Sequence, residues 1–309
     1  MGTPTFVIPV LDKLLARGHH IAAVYTQPDR GSGRGRDIEI TPVKRFAMER
    51  SVPLFQPENL ATLQVLDEVT QLRPDVVVVA AYGRILPKQL LEIPRHGCIN
   101  IHPSLLPRYR GPSPVASAII QGEKVTGVTL MLVEQGTDTG PVIAREEVQI
   151  SDDDTTDSLT TRLFEIGSKL LVETLPLWEV GEINVTSQDH SLATFTNKIT
   201  RGDGWATWDL SAKELERKLR GFTPWPGLYT CWDGRTLKVI EAIALDISMN
   251  GDAGQVVALD HVYLPVGVIT ASGVLGLAKL QLQGRRIINA KEFLIGHANF
   301  VGSRLPSSL

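Results

Sequence analysis

Hydrophobic positions change period along the first third of the chain. Phe6, Val10, Leu11, Leu14 and Leu15 fall at helical spacing, and Gly18 follows as a C-terminal cap would, which predicts a helix over 5–17. Residues 21–25, Ile-Ala-Ala-Val-Tyr, predict a buried strand. Thr41 and Pro42 supply an N-cap and first-turn proline for a helix to about residue 49, and a further helix is predicted over 62–71. The run Val76-Val77-Val78-Val79-Ala80-Ala81 then reads as a strand covered on both faces, so the sheet is expected to be parallel.

Farther along, residues 112–121 predict a helix ended by Gly122, and 128–133 and 142–150 predict strands. A long helix from about Thr156 carries Leu159, Leu163, Ile166 and Leu170 on one stripe and ends near Gly181. Residues 183–200 lack periodicity and are expected to be a connector between a first domain, 1–182, and a second, 201–309. In the second, Ser211 and Glu214 form a capping-box signature for one helix to Arg220, and strands are expected near 238–245, 255–259, 262–266 and 274–282. One helix with short strands suggests a small β-barrel behind an α/β domain.

With 309 residues, 43% hydrophobic, the chain has room for one large or two ordinary cores. Its net charge of -3 announces no global attraction for nucleic acid. Cys98 and Cys231 are the only cysteines, which argues against disulfides and against zinc, and suits a reducing cytoplasm.

The candidate chemistry gathers where Cys98-Ile99-Asn100-Ile101-His102 stops at Pro103. Asn100 and His102, two residues apart on a strand, project to one side of its carboxyl end, where open α/β sheets bind ligands. An amide and an imidazole together suit the stabilisation of an oxyanion, and Asp138, in Gly136-Thr137-Asp138-Thr139-Gly140-Pro141, can orient the imidazole and manage protons. Tyr82-Gly83-Arg84-Ile85-Leu86-Pro87 follows a strand, and Ile85 and Leu86 either wall a flat ligand or belong to the core. The stretch from Gln27 to Arg36 holds three arginines and three glycines, without the Gly-Lys-Ser/Thr ending of a phosphate-binding loop. It is either a solvated linker or an arm whose Arg34 and Arg36 meet phosphates. Lys213, Arg217, Lys218 and Arg220 crowd one helix, as a basic face or as a solvated one, and Trp205, Trp208, Trp225 and Trp232 either stack bases or fill a core.

Asn100-Ile101-His102-Pro103-Ser104-Leu105-Leu106-Pro107, followed by Asp138 in Gly-Thr-Asp-Thr-Gly-Pro, resembles the signature of the 10-formyltetrahydrofolate-dependent formyltransferases. The stretches Gln27-Pro28-Asp29-Arg30, 81–87 and Pro224-Trp225-Pro226-Gly227 are most similar to its transfer-RNA-acting members, and the likeness covers nearly the whole chain. The resemblance implies a Rossmann-like, mostly parallel sheet domain followed by an OB-like barrel that binds transfer RNA. It implies Asn100, His102 and Asp138 as catalytic residues, and Ser104, Leu105, Leu106 and Pro107, with Ile85 and Leu86, at the folate site. It also implies Arg34 and Arg36 at the acceptor arm, 10-formyltetrahydrofolate as donor with no metal, and initiator methionyl-tRNA as the partner of a monomer.

Members of the family begin with an apolar strand just before Met-Gly-Thr-Pro, and this chain starts at Met1-Gly2-Thr3-Pro4. The first strand is therefore expected to be missing, and the chain as written to be poorly soluble until extended upstream. The catalytic trio does not separate transfer-RNA formylation from formyl transfer to a sugar nucleotide or purine precursor, or from hydrolysis of the formyl folate. A dinucleotide-binding oxidoreductase ranks low because no Gly-x-Gly-x-x-Gly follows a strand. A non-catalytic RNA-binding module is the rival from another class.

Overall fold

The computed structural model describes residues 1–32 and 37–308, with 30–32 and 37–39 in backbone alone. Arg34 and Arg36 lie outside the described residues. The chain divides into two units. The first is Met1–Pro114, Val125–Gln149 and Leu159–Asn197, and the second is Val115–Lys124, Ile150–Ser158 and Lys198–Leu309.

In the first unit the expected helices form at Ile8–Ala16, Pro42–Glu49 and Leu63–Leu72, each close to its sequence signal. Thr41 and Thr62 cap the latter two, their hydroxyls accepting the N–H of Lys44 at 3.1 Å and of Val65 at 3.4 Å. The strands are shorter than the apolar runs that announce them: Val24–Tyr25 pairs parallel with Leu54–Phe55, and Val77–Val79 parallel with Cys98–His102. Met1 and Gly2 lie between these pairs, Gly2 donating to the Tyr25 carbonyl at 3.0 Å and Met1 accepting from Ala80 at 2.9 Å.

Beyond Cys98–His102 the sheet turns antiparallel, through Val125–Leu132 and then Val142–Gln149. The last strand is largely exposed along its second half, which an antiparallel edge tolerates because only one of its faces must be covered. Alternation splits the interior in two. Val77, Val79 and Cys98 face a cluster with Tyr25, Val65, Leu86 and Leu90, whereas Ile99, Ile101, Val128 and Leu130 face Phe164, Leu171 and Leu175 of the long helix Thr156–Glu179. That helix comes close at Gly167, where a Cβ would stand 2.7 Å from a methyl of Ile101 and 2.8 Å from one of Val128.

Residues 182–197 belong to the first unit rather than to a free connector. Thr186 exchanges two backbone hydrogen bonds with Val142, both at 2.8 Å, and Thr194 and Thr196 bond the backbone of Arg110 at 2.9 and 2.7 Å. A chain that meets several separate strands and loops in passing needs no period of its own, which is why the sequence reads as a linker.

In the second unit an antiparallel sheet runs in the order Val256–Ala258, Val266–Ile269, Val274–Leu282, Arg235–Leu245, Leu228–Trp232, with Ile288–Asn289 also on Val274–Leu282. Register shifts around Glu241 bend the long strand, and the sheet curls into a half-barrel. The strand expected at 262–266 forms instead at Val266–Ile269, with Val262 and Tyr263 exposed before it. The capping box holds, Ser211 and Glu214 opening the helix Ala212–Gly221. A second helix, Ala290–Gly296, escapes the sequence reading because it is too short to show a period, although Asn289 caps it and Phe293 meets Trp232 at 5.7 Å between ring centres.

Trp208 and Trp232 are core residues, whereas Trp225 is exposed. On the Ala212–Gly221 helix, Arg217 and Arg220 donate to the carbonyls of Ile120 and Asp154 at 3.1 and 2.9 Å, so these two cations are anchored within the unit. Among the described residues no helix is long and apolar enough to cross a membrane.

Burial pushes the Cys98 thiol up to about 12, so its thiolate form, the reactive one, is absent at pH 8. A thiol reagent applied to the native protein at pH 8 is expected to label Cys231 and to reach Cys98 only after unfolding; modification of Cys98 at the Cys231 rate contradicts the packing described.

Candidate active site

The strand Cys98–His102 places Asn100 and His102 on the face opposite Ile99 and Ile101, where Asn100 pairs with Val79 on one side and Met131 on the other, and His102 with Thr129. His102 is only 4% exposed. Its Nε2 lies 3.1 Å from the Tyr109 carbonyl, and since a carbonyl oxygen only accepts, Nε2 carries the hydrogen in that bond. The other ring nitrogen, Nδ1, faces Asp138 Oδ2 at 3.6 Å.

Asp138 arrives from the turn that joins Val125–Leu132 to Val142–Gln149. Its φ of +52° is a left-handed conformation that a residue with a Cβ seldom takes, and surrounding bonds hold it there. One is the Gly111 N–H, which donates to Asp138 Oδ2 at 2.8 Å. Gly111 has a φ of +104°, and a Cβ there would lie 2.8 Å from the Thr196 carbonyl oxygen, so no larger residue delivers its amide to the carboxylate.

The turn after the strand is built on Thr129. Its hydroxyl donates to the Ser104 carbonyl at 2.6 Å and accepts the Leu106 N–H at 3.2 Å, and the Ser104 hydroxyl closes the turn on the Arg108 carbonyl at 2.7 Å. Of the four positions expected at the folate site, Ser104 and Leu106 are thus buried in the scaffold, and Leu105 and Pro107 are half-buried. Ile85 and Leu86 also part company: Ile85 is 94% exposed, and Leu86 packs in the core with Tyr25 and Tyr82.

A polar network ties this loop to the base of the arginine-rich stretch. Gln27 donates to the Tyr82 carbonyl at 2.9 Å and accepts from Arg84 Nε at 3.0 Å, and Gln56 donates to the Gln27 carbonyl at 2.9 Å and to Asp29 Oδ1 at 2.8 Å. Lys44 pairs with Asp29, and the hydrogen bonds from Lys44 and then Gln56 hold the Asp29 carboxyl below its ordinary range.

The sequence does not single out Thr129, Arg110 or Gln188, yet all three are buried around the site. Arg110 Nη2 lies 2.7 Å from Gln188 Oε1, and Gln188 Nε2 bonds the carbonyls of Asp138 and Gly140. Their signal is weak because a glutamine in an aperiodic stretch and an arginine beside other arginines look like surface. Among the described residues no group of three or more His, Cys, Asp or Glu side chains is arranged to hold a metal ion.

Two family models match the chain. Residues 1–175 match the formyl transferase model, and 198–298 match the formyl transferase C-terminal domain. The methionyl-tRNA formyltransferase of Geobacter sulfurreducens is 42% identical over 306 residues, 99% of this chain and 95% of the relative. That of Chloroflexus aggregans is 43% identical over 296 residues, 96% of each chain. Among solved structures, an N-formyltransferase from Helicobacter canadensis in complex with folinic acid and dTDP-3-aminofucose superposes with a TM-score of 0.65 at 16% identity, over 91% of this chain and 97% of that one. HypX from Aquifex aeolicus in complex with tetrahydrofolic acid gives 0.58 at 20% identity, over 82% of this chain and 44% of its own. These last two share the fold. From its strand-end histidine to its curled second unit, the chain belongs to the formyl transferase family.

Proposed function

We propose that the chain transfers the formyl group of 10-formyltetrahydrofolate to the amino group of initiator methionyl-tRNA, giving N-formylmethionyl-tRNA for translation initiation. The approach of His102 to Asp138, 3.6 Å apart at the end of the strand that bears Asn100, carries the reading. Relatives named methionyl-tRNA formyltransferases along nearly the full length support the acceptor.

The amine attacks the formyl carbon, and the carbonyl oxygen gathers negative charge that Asn100 and His102 stabilise. Because 3.6 Å is longer than a hydrogen bond, Nδ1 of His102 is not tied to Asp138, and with the ring hydrogen held by Nε2 on the Tyr109 carbonyl it is the ring atom left to take up the amine proton and pass it to that oxygen. Asp138, steadied by the Gly111 N–H, assists removal of the amine proton as the carbon–nitrogen bond to the folate breaks and the folate nitrogen takes up a proton. Exposed Ile85 and half-buried Leu105 and Pro107 are the proposed contacts of the donor, with Ser104, Leu106 and Leu86 fixing them from behind.

For the acceptor, Arg34 and Arg36 are proposed to meet the phosphates of the transfer RNA's acceptor arm. The second unit is proposed to contact its backbone. The test is incubation with formyl donor and methionyl-tRNA, following formyl-methionyl-tRNA and free formate together. Formylated transfer RNA is the expected product, and formate alone points to hydrolysis.

Asn100→Ala and His102→Ala are each expected to lower turnover about a hundred- to a thousandfold, the usual loss for one oxyanion donor, with circular dichroism unchanged. Near-parental turnover in either variant removes that residue from the mechanism. Arg34→Ala is expected to weaken use of methionyl-tRNA while donor affinity stays constant; equal losses in both contradict a transfer-RNA role.

A further inference from the structure

Gln188 sits in the stretch that reads as a linker, and it is 7% exposed. Its Oε1 accepts from both Nε and Nη2 of Arg110, at 3.2 and 2.7 Å, and its Nε2 donates to the carbonyl oxygens of Asp138 and Gly140, at 2.9 and 2.7 Å. A guanidinium only donates and a carbonyl only accepts, so chemistry alone orients this amide. Arg110 is 2% exposed, and His190 Nδ1 lies 3.1 Å from its Nη2. Among the described residues no carboxylate pairs with it.

These bonds close a circuit. Arg110 holds the Gln188 amide, the amide holds the backbone on and after Asp138, and the residue after Arg110 sends its N–H to the Asp138 carboxylate at 2.8 Å. Asp138 is thereby gripped at both backbone and side chain, at a φ of +52° that costs a residue with a Cβ free energy. Thr194 and Thr196 fix Arg110 in turn through its own backbone N–H and carbonyl.

We infer that Gln188, with Arg110 behind it, is a positioning residue for Asp138, setting the distance between that carboxylate and His102. The inference rests on the proposed formyl transfer and deepens it. Neither side chain needs to touch substrate; each acts through the carboxylate.

Gln188→Glu separates the two ends of the amide. The carboxylate keeps an acceptor for Arg110, and even pairs with its charge, but both donors to the Asp138 and Gly140 carbonyls are lost. The readouts are the single-turnover rate of formyl-methionyl-tRNA formation, the half-saturating donor concentration and the thermal midpoint, measured in the parent chain and in an Asp138→Asn background. In the parent chain the rate is expected to fall about ten- to a hundredfold, the scale of a small misplacement of a catalytic group, with half-saturation little changed. In the Asp138→Asn background the same substitution is expected to change the rate by less than about twofold, since a residue that acts through Asp138 has nothing left to position.

An undiminished loss in that background, or a parental rate in Gln188→Glu alone, overturns the inference. If Gln188→Glu does not fold, Arg110→Lys carries the same cycle: a loss that vanishes in Asp138→Asn supports positioning, and an equal loss in both backgrounds overturns it. Absence of formylated transfer RNA from the unsubstituted chain sinks the acceptor reading and this inference together, whereas product from the parent with an indifferent Gln188 sinks the inference alone.

Discussion

The period of two in Cys98–His102 is the constraint on which the catalytic unit depends. Ile99 and Ile101 must reach the long helix, and burial of each contributes about 1.5–3 kcal/mol. The same alternation sends Asn100 and His102 to the other face, so the residues that lock the strand into the core also fix which way the candidate chemistry points. A slip of one residue would turn the polar pair onto the long helix and send the isoleucines to the face that carries the site. Gly167 sharpens the lock, since the helix approaches Ile101 and Val128 too closely to admit a side chain at that position.

Around this strand, loops rather than regular elements complete the site, and polar side chains serve several of their buried backbone groups. Thr129 serves two backbone groups of the turn after His102 with one hydroxyl. Gln188 serves two carbonyls of the Asp138 turn, and Gln27 and Gln56 join the loop at 82–84 to the residues before the arginine-rich stretch. A buried polar network of this kind is rigid when every member is satisfied and costly when one is removed.

What the sequence discloses follows from what has a local signature. The helices at Pro42–Glu49 and Ala212–Gly221 are legible because Thr41, Ser211 and Glu214 are caps, and a cap is a one-turn interaction. The strand of Asn100 and His102 is legible because its alternation and the proline after it are contiguous. The antiparallel half of the sheet is hidden, because whether Val125–Leu132 runs with or against its neighbour depends on a turn, and apolar content is the same either way. Arg110 and Gln188 are hidden for a deeper reason. They lie 78 residues apart, and their chemistry exists only once each has found the other.

Residues 182–197 carry a lesson about where this protein divides. A cut at residue 182, the natural choice from periodicity, would leave bare the Val142 amide and carbonyl, the backbone of Arg110 and the carbonyls of the Asp138 turn, all of which find partners in that strip. The strip behaves as a suture drawn across loops that the sheet alone does not join. An excised catalytic fragment should therefore be designed by counting which backbone groups lose their partners, and on that basis its edge falls after Asn197.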